Sequence, residues 1–204
     1  MYLTRIDMSV AHRGTQRALR DCQQMHRMVT GLFGESRADA DVLYRLRYGR
    51  GSCSIYLYSS MPVKRDRILQ NMRFQGERDM TEWLNSLTKG QICHFDLLAW
   101  PSKKVPCDGR KNSRRRVLRT EEERLAWLMR KGRQNGFELL TACELETAQQ
   151  VGYHDACRGG SLHVDSYHYQ GTLQIYNVMA FRSALCGGIG PGKAYGLGML
   201  LLTQ

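Results

Sequence analysis

Apolar and polar residues alternate along Met1–Val10, with Leu3, Ile6 and Met8 set against Thr4, Arg5 and Asp7. The register slips once, and the pattern predicts a strand. A basic, helix-favouring segment runs from His12 to Arg20. Asp21 and Gln24 then have the spacing of a capping-box start. Cys22, Met25, Val29 and Leu32 recur at helical spacing, and Gly34 is placed to end that helix. Val42–Tyr48 and Cys53–Ser59 read as two strands joined by Gly49-Arg50-Gly51. Lys64–Met72 is expected to be a short basic helix and Arg73–Gly76 a short strand. The order β-α-β-β-α-β is the split βαβ of ferredoxin-like folds.

The second half repeats this order. Ile92–Trp100 is expected to be a strand that Pro101 ends. Val105–Arg119 reads as irregular and strongly basic. Thr120 caps a helix whose first turn holds Glu121, Glu122 and Glu123, complementing the helix dipole. Phe137–Leu145 and Leu162–Tyr176 read as strands, with Arg158-Gly159-Gly160 at an exposed loop or hairpin tip. Val178–Cys186 reads as a helix, and Leu197–Leu202 as a buried last strand. The expectation is an α+β chain of two tandem ferredoxin-like domains, residues 1–90 and 91–204.

Charge changes the picture from fold to partner. The chain has 204 residues and a net charge of +11. A balance so far from neutral favours an anionic partner, nucleic acid before an anionic membrane surface. No run is long and apolar enough to span a bilayer. The alternating N-terminus is unlike a secretory signal. The seven cysteines are scattered without a C-x-x-C pair, and His154 with Cys157 has no matching second pair. Reduced thiols in a cytoplasmic protein, with no metal and no cofactor, are the expectation.

The densest glycine stretch runs from Gly187 to Gly198, with Lys193 inside it. Backbone N–H groups around one mobile positive charge make a phosphate-cradling composition. Gly187, Gly192 and Lys193 fit G-x-x-x-x-G-K, but Ala194 stands where a hydroxyl would hold magnesium. The stretch also follows a helix and opens a strand, the reverse of a nucleotide-binding P-loop. Two readings stay open: a loop that holds phosphates, and a turn that packs strands or domains together.

Three segments together resemble one known family. They are Met1-Tyr2-Leu3-Thr4-Arg5, the helix bearing Met25-His26-Arg27, and the run Gly188-Ile189-Gly190-Pro191-Gly192-Lys193-Ala194-Tyr195-Gly196-Leu197-Gly198. Arg124-Leu125-Ala126-Trp127-Leu128, ahead of Arg130 and Lys131, fits as well. The chain resembles the CasE branch of CRISPR repeat-RNA endoribonucleases, subunits of the Cascade surveillance complex. The resemblance implies two RRM-like domains and a repeat stem-loop RNA as substrate. It also implies partnership with other Cascade subunits and cleavage without a metal ion or cofactor.

Such cleavage uses the substrate's own 2′-OH, so a proton must leave the nucleophile and another must reach the 5′ oxygen. Histidine suits proton transfer near neutrality. On the resemblance, His26 is the catalytic acid or base and Arg27 neutralises the scissile phosphate. Gln23 stands where relatives often carry tyrosine. A glutamine can hydrogen-bond but cannot transfer a proton. Either Gln23 only positions the reacting groups, or a tyrosine from elsewhere serves, or this relative is slower. RNA phosphates are expected on Arg110, Lys111, Arg114, Arg115, Arg116 and Arg119, on Arg130 and Lys131, on Arg158, and on Lys193. Gly188, Gly190, Gly192, Gly196 and Gly198 shape the loop around Lys193. A non-catalytic RNA-binding scaffold of the same fold is the alternative.

Overall fold

The computed structural model describes residues 1–34, 40–106, 114–153 and 161–203. In its first half, β1 (Tyr2–Ser9) leads into α1 (Arg13–Arg20) and α2 (Cys22–Gly31). β2 (Leu43–Tyr48), β3 (Ser52–Ser59) and β4 (Met72–Asp79) follow, then a short helix α3 (Thr81–Ser86). In the second half, β5 (Ile92–Ala99) precedes a hairpin of β6 (Ser102–Val105) and β7 (Arg114–Val117). Then come α4 (Glu121–Gln134), β8 (Phe137–Tyr153), β9 (Ser161–Ile175), α5 (Val178–Gly187) and β10 (Leu200–Thr203).

The two main sheets run β2-β3-β1-β4 and β10-β5-β9-β8. Element for element this is one order used twice, and all the pairings are antiparallel. Each sheet buries one face under helices. Ile6, Ile55 and Leu57 pack with Met25 and Val29 of α2. Phe95, Leu97 and Leu173 pack with Trp127 of α4 and Phe181 of α5. A smaller cluster of Leu43, Tyr58 and Met199 joins the two halves.

Local chemistry sets the boundaries. α1 and α2 are separate because Asp21 turns extended between them, at φ −137°, and its carboxylate accepts the Gln23 N–H at 2.9 Å. Thr120 accepts from the Glu123 N–H while the Glu123 carboxylate accepts from the Arg119 N–H, tying the entrance of α4 on both sides.

Several expectations are corrected. Lys64–Met72 is not a helix; a single 3-10 turn, Arg65–Arg67, stands there with no buried residue. Its charged residues offer no apolar stripe to hold a longer helix on the sheet. Val105–Arg119, taken as irregular, contains β7, which pairs with β6 just ahead of it. β8 extends eight residues past Leu145 to Tyr153, bending at register shifts between Leu139 and Thr141 and between Glu144 and Thr147. The last strand starts at Leu200, because Leu197–Met199 belong to the glycine loop. α3 has no counterpart in the expectations.

Candidate functional site

α2 buries Cys22, Met25 and Val29 against the first sheet. That leaves Gln23 and His26 half-buried on its flank and Arg27 exposed. Spacings of three and four residues place Gln23, His26 and Arg27 together on one side of the helix. Thr30, one turn on, donates its hydroxyl to the His26 carbonyl at 3.0 Å.

Two pieces of the second half close on this helix. The distal part of β8 lies over its N-terminal end, and the 3-10 turn Lys193–Tyr195 packs beside it. A Cβ on Gly152 of β8 would meet the Cys22 Sγ at 2.7 Å and the Gln23 Cγ at 3.0 Å. The turn is anchored from the first half, since the Tyr44 hydroxyl donates to the Ala194 carbonyl at 3.0 Å.

The glycine loop is chiefly a backbone knot. All five expected glycines, Gly188, Gly190, Gly192, Gly196 and Gly198, have positive φ. The N–H groups of Ile189 and Gly198 donate to Gly198 and Leu98 carbonyls, and those of Tyr195 and Leu197 donate to Gly192. Gly196 shows why a side chain is excluded. Its φ is +78°, and a Cβ would lie 2.9 Å from the Tyr44 ring. Much of the N–H supply expected to cradle phosphate is therefore spent within the loop and on Leu98 of β5.

The charge of the loop has a clear destination. Lys193 lines a cavity of about 470 Å³ together with Lys104, Arg115 and Lys131. Each comes from a different element, and among the described residues no acidic one lines the space. Lys104 and Arg115 are cross-strand partners on β6 and β7, so the strand alternation presents both to one side. Lys103 and Arg116 form the neighbouring pair, and Lys103 approaches Glu123 at 3.9 Å. Burial pushes the Lys131 ammonium below its ordinary pKa, and the nearby Arg130 and Arg115 push it further. Four cations confined with so little counter-charge make a site for an anion.

A charged network pins the halves behind the site. Arg45 of β2 and Asp96 of β5 form an ion pair, with side chains 11% and 20% exposed. His168 Nε2 lies 3.0 Å from Asp96 and 3.1 Å from the Arg45 guanidinium, and Gln170 donates to Asp96 at 2.9 Å. Burial raises the Asp96 carboxyl pKa, but the contacts with Gln170, Arg45 and His168 outweigh it and hold it below the usual range.

The sequence model of a family described as CRISPR associated protein matches residues 1–204. The chain belongs to that family. It is 26% identical over 213 residues to the CRISPR-associated endoribonuclease Cse3 of Thermus thermophilus, with 98% of each chain covered. A solved structure of the CRISPR endoribonuclease Cse3 bound to a 19 nt RNA has a TM-score of 0.87 at 25% identity, covering 100% of both chains. The crystal structure of the CRISPR-associated protein Cas6e from Escherichia coli K-12 has a TM-score of 0.75 at 25% identity, covering 99% of this chain and 98% of that one.

Within this CRISPR-associated chain the expected site residues divide. Lys193, Lys131 and Arg115 meet in one basin. Arg116, Arg119 and Arg130 are exposed and do not line it. Arg114 pairs with Val105 at the end of the hairpin. Arg110, Lys111 and Arg158 lie outside the described residues, as do His154 and Cys157. Arg124 is structural: its guanidinium makes two bonds to Glu144, at 2.7 and 2.6 Å, and lies over the Tyr167 ring. His168 belongs to the network between the halves. Lys104 was missed as a partner of Lys193; its cross-strand pairing with Arg115 carried no sequence signal. No helix among the described residues is long and apolar enough to cross a membrane.

Proposed function

We propose that this chain is a metal-independent endoribonuclease that cleaves the repeat stem-loop of precursor CRISPR RNA. It keeps the mature RNA bound as a cytoplasmic subunit of a Cascade complex. Residues 1–90 act as the half bearing His26, and 91–204 as the half that grips the hairpin. The observation that carries this reading is Lys193: one turn both packs on the helix of His26 and lines the anion basin. The likeness to an RNA-bound Cse3 structure supports the choice of RNA.

In this mechanism the hairpin's phosphates sit on Lys104, Arg115, Lys131 and Lys193, which brings the strand at the hairpin's base past α2. The ribose 2′-OH attacks the adjacent phosphorus, and the bond to the 5′ oxygen breaks. A 2′,3′-cyclic phosphate and a 5′-OH result. His26 serves as the acid or base. Arg27 and the lysines offset the charge that gathers on the phosphorane. Gln23 orients the reacting groups by hydrogen bonding, and Tyr195 is a tyrosine that the fold brings to the same helix.

The test is cleavage of a cognate repeat hairpin in excess EDTA. Wild type cuts and leaves a cyclic phosphate, while His26→Ala is slower by roughly 10²–10⁴ with hairpin affinity preserved. Equal rates would remove His26 from the chemistry. Gln23, at the position where relatives often carry tyrosine, favours one second reading, an RNA-holding scaffold. That reading predicts tight hairpin binding by wild type and no product.

A further inference from the structure

We propose that the outer face of α1 and the cavity at its end form a track for single-stranded RNA flanking the hairpin, with one unpaired base seated beside Tyr195. This rests on the RNA-processing reading above and deepens it.

Arg13, Arg17 and Arg20 are spaced four and three residues apart, so they form one stripe on α1. All three are exposed, and none forms an ion pair among the described residues. They border an open cavity of about 400 Å³ with Gln16 and Gln24. Its one acidic lining residue, Asp21, already accepts the Gln23 N–H. The helix separates the arginines by roughly 6 and 4.5 Å along its axis, so side chains of this length can reach successive phosphates. Three guanidinium groups against one carboxylate leave the face net positive, which suits a polyanion.

Arg20 also lines a second cavity, of about 240 Å³, so the two spaces adjoin at that residue. The walls of this one include Cys22, Met25, Tyr44, Leu46 and Tyr195, with Gln150 adding an amide. An apolar and aromatic slot rimmed by a few hydrogen-bonding side chains, Gln149, Gln150 and Ser166 among them, suits the flat face and polar edge of a nucleobase. A base pair is too large for it, so the strand here must be unpaired. The Lys193–Tyr195 turn divides the molecule: Lys193 faces the basin for the hairpin, and Tyr195 faces this slot. The hairpin and its single-stranded continuation therefore lie on opposite sides of the turn, with α2 as a wall of the slot.

The test measures affinity for hairpins blocked by a 2′-deoxy sugar at the cut, either bare or carrying a single-stranded flank on one side. Wild type should bind one flanked RNA at least about 10-fold more tightly than the bare hairpin, given the usual strength of single-strand contacts. Arg13→Glu with Arg17→Glu should abolish that gain, leave bare-hairpin affinity unchanged, and lower the salt slope by roughly 0.7 per lost contact. An abasic site at one flank position should weaken wild-type binding about 10-fold but leave Ala148→Phe, which fills the slot from an exposed rim position, indifferent. Equal wild-type affinity for bare and flanked hairpins overturns the proposal, as does a double variant that weakens both equally. Failure to bind or cut the bare hairpin would instead defeat the RNA-processing reading. Binding of the isolated flank strand, wild type against the double variant, then decides the track by itself.

Discussion

Gly152 of β8 rests on Cys22 of α2 so closely that a methyl group there would lie 2.7 Å from the sulfur. An arm of the second half is thereby seated on the helix that carries His26. Gly152→Ala should displace the arm and lower the cleavage rate by about 10–100-fold, because misplacement by about 1 Å costs on that scale. Cys22→Ala in the same chain removes the obstructing atom and should restore most of the rate. Single-turnover kinetics on the three variants check this. A Gly152→Ala protein as fast as wild type would show that the contact does not position α2.

The basin makes a pH prediction through Lys131. Burial, with Arg130 and Arg115 nearby, lowers its pKa in the free protein. A bound phosphate favours the charged form and raises that pKa again. RNA binding should therefore take up a proton as pH rises through the free-protein value, and affinity should fall there. Below that value this group contributes no pH dependence. Lys131→Arg, which stays charged, should flatten the alkaline limb of a binding-against-pH curve. Lys104→Ala should weaken binding and reduce the salt slope by about 0.9.

Asp96 links stability to acid. Its folded pKa is depressed on balance. Its contribution is therefore present above the ordinary carboxylate pKa and is lost as pH falls through the folded value. Asp96→Asn leaves Arg45 without its anion and should cost about 2–4 kcal/mol near neutral pH. The difference from wild type should shrink as pH falls below the depressed folded value, where both side chains are neutral. Urea unfolding near neutral pH and below that value measures it.

Gly196→Ala should strain the loop. A left-handed conformation costs a residue with a Cβ about 1–2 kcal/mol, and contact with the Tyr44 ring adds to this. A Tm lower by roughly 2–8 °C is expected for a chain of this size. Calorimetry on the variant, alone and with Tyr44→Leu, separates backbone strain from ring contact.

What was legible in the sequence follows from locality. Alternation and helical spacing marked β1, α2, β2, β3 and α4, because each buries a face whose period shows in its own residues. Thr120 and its three glutamates marked a helix start for the same reason. The 3-10 turn at Arg65–Arg67 misled because charge at helical spacing, without an apolar stripe, has nothing to hold it down. The length of β8 was hidden, since past Leu145 it is supported by the other half and not by its own alternation. Lys193, Lys131 and Arg115 could each be named as RNA-binding candidates. That they share a basin with Lys104, and that Arg124 and His168 are spent on internal contacts, depends on pairings between distant segments. A run of charges does not say which members face the same way.

The Tyr44–Ala194 bond and the turn it holds have a consequence for synthesis. His26 is translated well before the turn against which its helix packs. At about 5–20 residues per second, the nascent protein spends roughly 8–30 s between the two with that helix unseated. Under the proposed mechanism a chain stalled before Lys193 would carry the imidazole without the neighbours that give it a task.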